Sequence, residues 1–278
     1  MPLAFESSDL PAWLPHPHAV VAKCREHGPG PLGFAEYSTD STESAWIKYG
    51  PRVSMGEACT QVFIADILNS QKGYIARVPR VFYAFRHGRI GYILMEHIRG
   101  QDCSEDDIDQ IVLIIKQLRS IGSPTTSPGP VGGGPIGHCF FDDAQSSIRY
   151  ESVGELQEHI NKASDTFDSS VDFNKKDGGV LRLCLDDIHL GNFRKDENGQ
   201  LFVLDFGLTN FLPSYFQELS FVSSSRGFVC AIGKYFDRSE SDDVVALVLA
   251  AARLNVSQNN NHGKLLAPPI FARVLRNG

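Results

Sequence analysis

An α+β chain of two lobes, a small antiparallel sheet followed by a larger and mainly helical part, is the fold class this sequence predicts. Three observations carry the expectation. β-like segments crowd into the first hundred residues, helical periodicity takes over after Gly100, and two short apolar strands late in the chain each run straight into acidic residues. The boundary is expected near Ile98, dividing the chain into 1–98 and 99–278. A length of 278 residues suits one large domain or two lobes, because single hydrophobic cores stop growing at about 250–300 residues.

The elements follow in order. Residues 45–49 (AWIKY) are short, aromatic and β-branched, and a weaker strand is expected ahead of the hydroxyl-rich residues 38–44. Residues 80–85 (RVFYAF) and 90–97 (IGYILMEH) flank His87-Gly88-Arg89, a hairpin turn. Between them, residues 56–69 place Val62, Ala65, Ile67 and Leu68 as one helix packed on the sheet would. Beyond Gly100, Ser104 offers an N-cap followed by acids, and Ile108, Ile111, Val112, Ile115 and Leu118 form a helical stripe. Residues 123–137, rich in Gly, Pro, Ser and Thr, must be an irregular loop. Ser152 and Glu155 have the spacing of a capping box, with a helix to about Phe167, and Ser241-Asp242-Asp243 precedes a helix through Leu254.

Composition narrows the function classes. Lys and Arg total 26 against 33 Asp and Glu, a formal charge of −7, which argues against a dedicated nucleic-acid binder and against electrostatic attachment to an anionic membrane. Six cysteines stand scattered without a C-x-x-C pair, so neither a zinc site nor a disulfide framework is expected, and a reducing, cytoplasmic setting is. The first residues show no basic region followed by an apolar run, so no signal peptide is expected. The apolar stripe at 108–118 is broken by Asp109, Gln110, Lys116 and Gln117, and falls short of the roughly 20 residues that span a bilayer.

The chemistry concentrates in residues 181–212, LRLCLDDIHLGNFRKDENGQLFVLDFGLTNFL. Two apolar strands, 181–185 and 201–204, end in acids, with the turn Asp196-Glu-Asn-Gly199 before the second. Asp187 and Asn192 lie five apart in one loop, and Asp205 follows 18 residues after Asp187. Hard oxygen donors so placed suit a divalent cation whose shell substrate phosphates complete, beside a general base.

D-x-x-x-x-N followed by D-F-G in this strand–loop–strand context resembles the catalytic and metal loops of the protein-kinase-like superfamily. The closer likeness is to the aminoglycoside phosphotransferase/choline kinase-like family, in its small fungal-type members. Trp46-Ile-Lys48-Tyr49-Gly50 looks like the lysine strand, and Glu57-Ala58 like the start of the helix that supplies the lysine's partner. Residues 78–81 (VPRV) and 92–101 (YILMEHIRGQ) look like the strand pair and hinge, and PGPVGGGP at 128–135 is similar to a loop of those members. The likeness spans residues 45–254.

That resemblance implies a bilobal protein-kinase-like fold, ATP and Mg²⁺ as cofactors, and transfer of the γ-phosphoryl group to a hydroxyl of a small-molecule substrate. Asp187 would be the base, Asn192 and Asp205 the Mg²⁺ ligands, Lys48 the contact to the α- and β-phosphates, and Glu57 its positioner. The backbone around Glu96 and Ile98 would meet the adenine edge. No A-P-E-like segment follows Asp205, so a protein substrate is not expected.

Departures keep alternatives open. The family's usual His, two residues before the base, is Leu185, and Asp186 puts a second carboxylate beside Asp187. Adjacent side chains on an extended loop usually point apart, but repulsion between them would raise one pKa. No G-x-G-x-x-G precedes the lysine strand. Gly28-Pro-Gly-Pro-Leu-Gly33 has prolines where amide donors are wanted, and residues 38–44 are either a phosphate cover or a polar hairpin. Lys48 is either the phosphate contact or a solvated strand lysine, and Glu57 either its partner or a first-turn acid. His189 either touches substrate or is structural, Cys184 is core packing, and Asp237, Glu240, Asp242 and Asp243 either favour a helix start or attract a cationic substrate. The other function classes are a pseudokinase-like binding protein and a kinase fold repurposed for other biosynthetic chemistry.

Overall fold

The computed structural model describes residues 3–28, 34–37, 44–165, 169–224, 227–236 and 242–261. Most of the 28–33 stretch, residues 38–43, the expected helix end near Phe167, Asp237, Glu240, Ser241 and the tail from 264 lie outside them.

The first sheet has five antiparallel strands: β1 (Leu3–Glu6), β2 (Phe34–Tyr37), β3 (Ser44–Gly50), β5 (Val81–His87) and β6 (Ile90–Glu96), in the order β1-β5-β6-β3-β2. The hairpin turn falls at 88–89, and the strand expected ahead of residue 38 is β2, with Phe34 opposite Ile47 and Tyr37 opposite Ser44. Alternation along β3 sends Ala45, Ile47 and Tyr49 to one face and Trp46 and Lys48 to the other. On the first face the helix α1 (Pro17–His27) packs through Val20, Val21 and Cys24. The opposite face takes α2 (Met55–Ser70), which buries Ala58 against Val81, Ala84 and Ile93. Fully burying Ile47, Phe85 or Ile93 contributes about 1.5–3 kcal/mol each.

The turn from β3 into α2 needs a glycine beneath it. A Cβ at Gly91 would stand 2.0 Å from the Val53 carbonyl oxygen, so only glycine lets the turn sit on β6. The next residue, Ser54, caps α2, its hydroxyl accepting from the Glu57 N–H at 2.9 Å. Glu57 is thereby fixed in the first turn, on the side facing Lys48.

A second sheet runs β4 (Ala76–Arg77), β10 (Leu201–Val203), β9 (Phe193–Asp196), β7 (Gly100–Asp102), with β4 parallel to β10. It draws on both sides of residue 98. The core does the same: Ile64 and Leu68 of α2 pack with Ile111, Ile115 and Leu118 of α3 (Ile108–Arg119). Ser104 caps a 3₁₀ turn that leads into α3 rather than α3 itself. A third sheet pairs β8 (Leu181–Leu185) with β11 (Thr209–Pro213), Leu185 opposite Thr209.

The helical part is α4 (Val153–Ser164), the single turn α5 (Asn174–Asp177), α6 (Tyr215–Ser223), α7 (Gly227–Gly233) and α8 (Asp242–Ser257), with a core through Leu156, Phe216 and Leu247. Ser152 caps α4 as expected, but Glu155 accepts from the Glu151 N–H, so the box closes one residue early. The fold class is the expected one. A small antiparallel-sheet lobe stands against a mainly helical part.

Candidate active site

The β8–β11 ladder explains why the acids converge. β8 leaves at Leu185 where β11 enters at Thr209, and the Asp186 N–H donates to the Leu208 carbonyl at 3.2 Å, so residues 186–192 and 204–208 emerge side by side. Above them hangs Lys48. Its Nζ lies 2.5 Å from Glu57 Oε1 and 2.7 Å from Asp205 Oδ1, joining β3, α2 and the segment after β10. The lysine is therefore not a solvated strand residue, and Glu57, 3% exposed, is more than a first-turn acid.

Electrostatics agree with the geometry. Burial opposes the Lys48 ammonium, but Glu57 and Asp205 outweigh it and raise its pKa. Burial pushes the Glu57 carboxyl up, and Lys48 offsets that only in part. Burial also pushes on Asp205, whose carboxyl Lys48 and the Gly207 N–H nonetheless hold below the ordinary carboxylate value. Asp205 has φ of +56°, a left-handed conformation that Asp tolerates better than most residues. The Gly207 N–H donating to its Oδ1 at 3.0 Å holds it there. Such a residue costs backbone energy, and the surroundings that impose it also aim it.

Asp187 and Asp205 line one cavity of about 240 Å³ with Lys48 and Glu57. Its far wall is Gly137 and residues 143–145, and its rim carries Arg52 and Asp143, paired at 3.6 Å and mostly solvent-exposed. The Asp187 side chain is 35% exposed, with His189 Nε2 at 3.6 Å from its Oδ2. Asn192 is buried, and its Nδ2 donates to the Asp187 carbonyl at 2.7 Å, which turns the amide and leaves its Oδ1 without a protein donor among the described residues. Asn192, Asp187 and Asp205 also line a narrow space beneath the cavity. An amide oxygen and a carboxylate are hard donors, a set that fits Mg²⁺.

The hinge lies apart from this cluster. The Glu96 N–H donates to Arg80 O at 2.8 Å, the His97 N–H to Ser44 O at 3.3 Å, and Ile98 O accepts from Arg194 at 3.3 Å. The Glu96 carboxylate accepts from the Arg80 N–H, so its side chain has a structural partner. Trp46, which shares the Lys48 face of β3, lies against His97 with ring centroids 5.7 Å apart.

Sequence reasoning missed a second polar cluster, around Asp186. This carboxylate, 4% exposed, turns away from Asp187. It accepts from the Cys139 N–H at 2.6 Å and the Ser220 hydroxyl at 2.7 Å, with His138 Nε2 at 3.5 Å. The Phe140 N–H donates to His138 Nδ1, which puts the imidazole proton on Nε2, beside Ser220 Oγ and the Phe216 carbonyl. Burial lowers the His138 pKa and keeps the ring neutral. One residue earlier, Gln217 holds the Leu185 backbone from both sides, accepting from its N–H and donating to its carbonyl, each at 2.8 Å. The only sequence signal was the doubled acid itself. Asp243 is buried and accepts from the Asp172 N–H, with Lys175 Nζ at 3.6 Å, so a structural partner holds it. Cys184 is core packing, its thiol pushed up to about 12 by burial.

No protein-family model matches this chain, and no curated protein matches it. Solved structures do. The aminoglycoside phosphotransferase APH(4)-Ia aligns at a TM-score of 0.52 and 12% identity over 87% of this chain and 90% of its own. A thermostable mutant of it, in ternary complex with ADP and hygromycin B, gives 0.51 and 12% over 86% and 90%. A choline kinase from Streptococcus pneumoniae gives 0.44 and 11% over 87% and 91%. The chain has the protein-kinase-like fold that these aminoglycoside phosphotransferase structures share.

Proposed function

We propose that the protein is an ATP- and Mg²⁺-dependent phosphotransferase that moves the γ-phosphoryl group to a hydroxyl of a small molecule. The observation that carries this reading is the Lys48 ammonium held between Glu57 and Asp205 at the edge of a cavity that Asp187 also lines. That an aminoglycoside phosphotransferase of the same fold binds ADP together with hygromycin B supports it.

In this reading Lys48 binds the α- and β-phosphates, and Glu57 fixes the ammonium for them. The backbone at Glu96 and Ile98 meets the adenine edge. Asp187 orients the acceptor hydroxyl in line with the γ-phosphorus and takes its proton at a carboxylate oxygen. Asn192 Oδ1 and the Asp205 carboxylate would hold Mg²⁺, which when bound supplies charge compensation to the phosphates.

Thermal shift with ADP or ATP, with and without Mg²⁺, tests the cofactor half, and ADP release across a panel of hydroxylated acceptors tests the chemistry. The expected result is metal-dependent stabilisation by nucleotide and acceptor-dependent ADP release. Nucleotide binding without release by any acceptor would favour a binding protein, and stabilisation by a metabolite alone would favour other chemistry in the same cleft.

A further inference from the structure

The cluster around Asp186 does something that a buried carboxylate rarely needs to do. Burying an acid is costly unless its oxygens are satisfied, and among the described residues no Lys or Arg satisfies these. The donors are a backbone N–H and a hydroxyl, with the neutral His138 ring beside them. The bonds of 2.6 and 2.7 Å to its two oxygens are short and fix its orientation. Their origins matter. Cys139 belongs to the segment that continues into the cavity wall at 143–145, and the Ala144 carbonyl accepts from the His138 N–H at 3.0 Å. Gly137, in the same wall, accepts from Asn210 Nδ2 at 2.6 Å. Ser220 lies on α6 three residues from Gln217, on the face that clamps Leu185. The peptide joining Asp186 to Asp187 is thus tied at one point to the acceptor wall and to a buried helix.

We propose that Asp186 is a positioning residue that fixes Asp187 against the 137–145 wall of the cavity through Cys139 and Ser220. The inference rests on the phosphotransfer reading for its consequence and on geometry alone for the anchor. Among the described residues the Asp186 carboxylate bonds to Cys139 and Ser220 and to none of Lys48, Glu57 and Asp205, so its loss acts on turnover and leaves nucleotide binding in place.

The test uses the full chain and two readouts. Amide hydrogen exchange over residues 137–141 reads the anchor without turnover. Asp186→Ala is expected to speed exchange of the Cys139 amide about tenfold or more, and Asp186→Asn, which keeps one acceptor oxygen, to restore part of the protection. ADP release from Mg·ATP, with water as acceptor, reads the consequence: Asp186→Ala lowers kcat about tenfold while the Mg·ADP thermal shift stays at the wild-type value. In an Asp187→Asn background the same change has no further effect, since it acts through Asp187. Ser220→Ala removes only a hydroxyl, keeps the fold and gives the same pattern at smaller size. Unchanged exchange at Cys139 overturns the anchor, and so does a kcat loss that is additive with Asp187→Asn or accompanied by lost nucleotide response. A wild-type chain that neither responds to Mg·nucleotide nor releases ADP overturns the phosphotransfer reading instead, and the exchange experiment then judges the anchor by itself.

Discussion

The two carboxylate clusters beside the cleft solve the same electrostatic problem in opposite ways. Glu57 and Asp205 share a cation, and Asp205 remains 39% exposed. Among the described residues no Lys or Arg meets Asp186, which is 4% exposed and satisfied by a backbone N–H and a hydroxyl. An ion pair at the edge of a cavity can exchange partners when a charged ligand arrives, because solvent still reaches the ammonium and Asp205. A carboxylate enclosed by an N–H, a hydroxyl and an imidazole has nothing to exchange with. On the proposed phosphotransfer reading the first cluster serves binding and the second holds still, and adjacent Asp187 takes its precision from the second while facing the first.

Four measurements break or sharpen that contrast. The largest effect is expected from Asp187→Asn, which should lower acceptor-dependent ADP release by on the order of 10²–10⁴ while leaving the melting temperature nearly unchanged, since the side chain is partly open to solvent. Normal turnover in that variant would remove Asp187 as the base. Lys48→Met leaves Glu57 buried without its cation. Urea denaturation should show a loss of about 3 kcal/mol, and the Mg·ADP thermal shift should disappear. Retention of both would mean that the ion pair is ornamental. Gln217→Ala removes both hydrogen bonds to Leu185 and should cost about 2 kcal/mol by the same denaturation, with nucleotide binding retained.

The smallest effect concerns pH. The folded-state pKa of Asp205 lies below its unfolded value, so the unfolded chain takes up that proton first. The stabilisation is complete above the unfolded pKa and is lost as pH falls through the depressed one. Melting temperatures followed from about pH 5 down to about pH 2 should therefore fall less steeply in Asp205→Asn than in wild type, and the difference should shrink in high salt because the carboxylate is partly exposed. Parallel curves would show that Asp205 contributes nothing to folding.

Much of this was legible in one dimension. Asp187, Asn192 and Asp205 could be read because turn-forming oxygen donors at fixed spacing between two short strands constrain where the chain can go. Lys48 could be read because an aromatic, β-branched strand and a helix start follow in the right order, although its face could not: alternation defines two faces without saying which one α2 covers. The helix α1, which covers the other, escaped notice because its apolar residues are few: Val20, Val21 and Cys24 carry the packing. The anchor escaped for a different reason. Its donors Cys139 and Ser220 stand 47 and 34 residues from Asp186, and neither residue type announces a partner.

By itself the sequence determined a small sheet followed by helices, the turn at 88–89, the Ser152 cap on α4 and the set of oxygen donors, since local propensity and spacing act between near neighbours in the chain. Tertiary structure alone decided that Lys48 meets both Glu57 and Asp205, and that of two consecutive aspartates one faces the cavity and the other is sealed away. Charge pairing and desolvation depend on which distant groups arrive within about 3 Å, and that is a property of packing rather than of order along the chain.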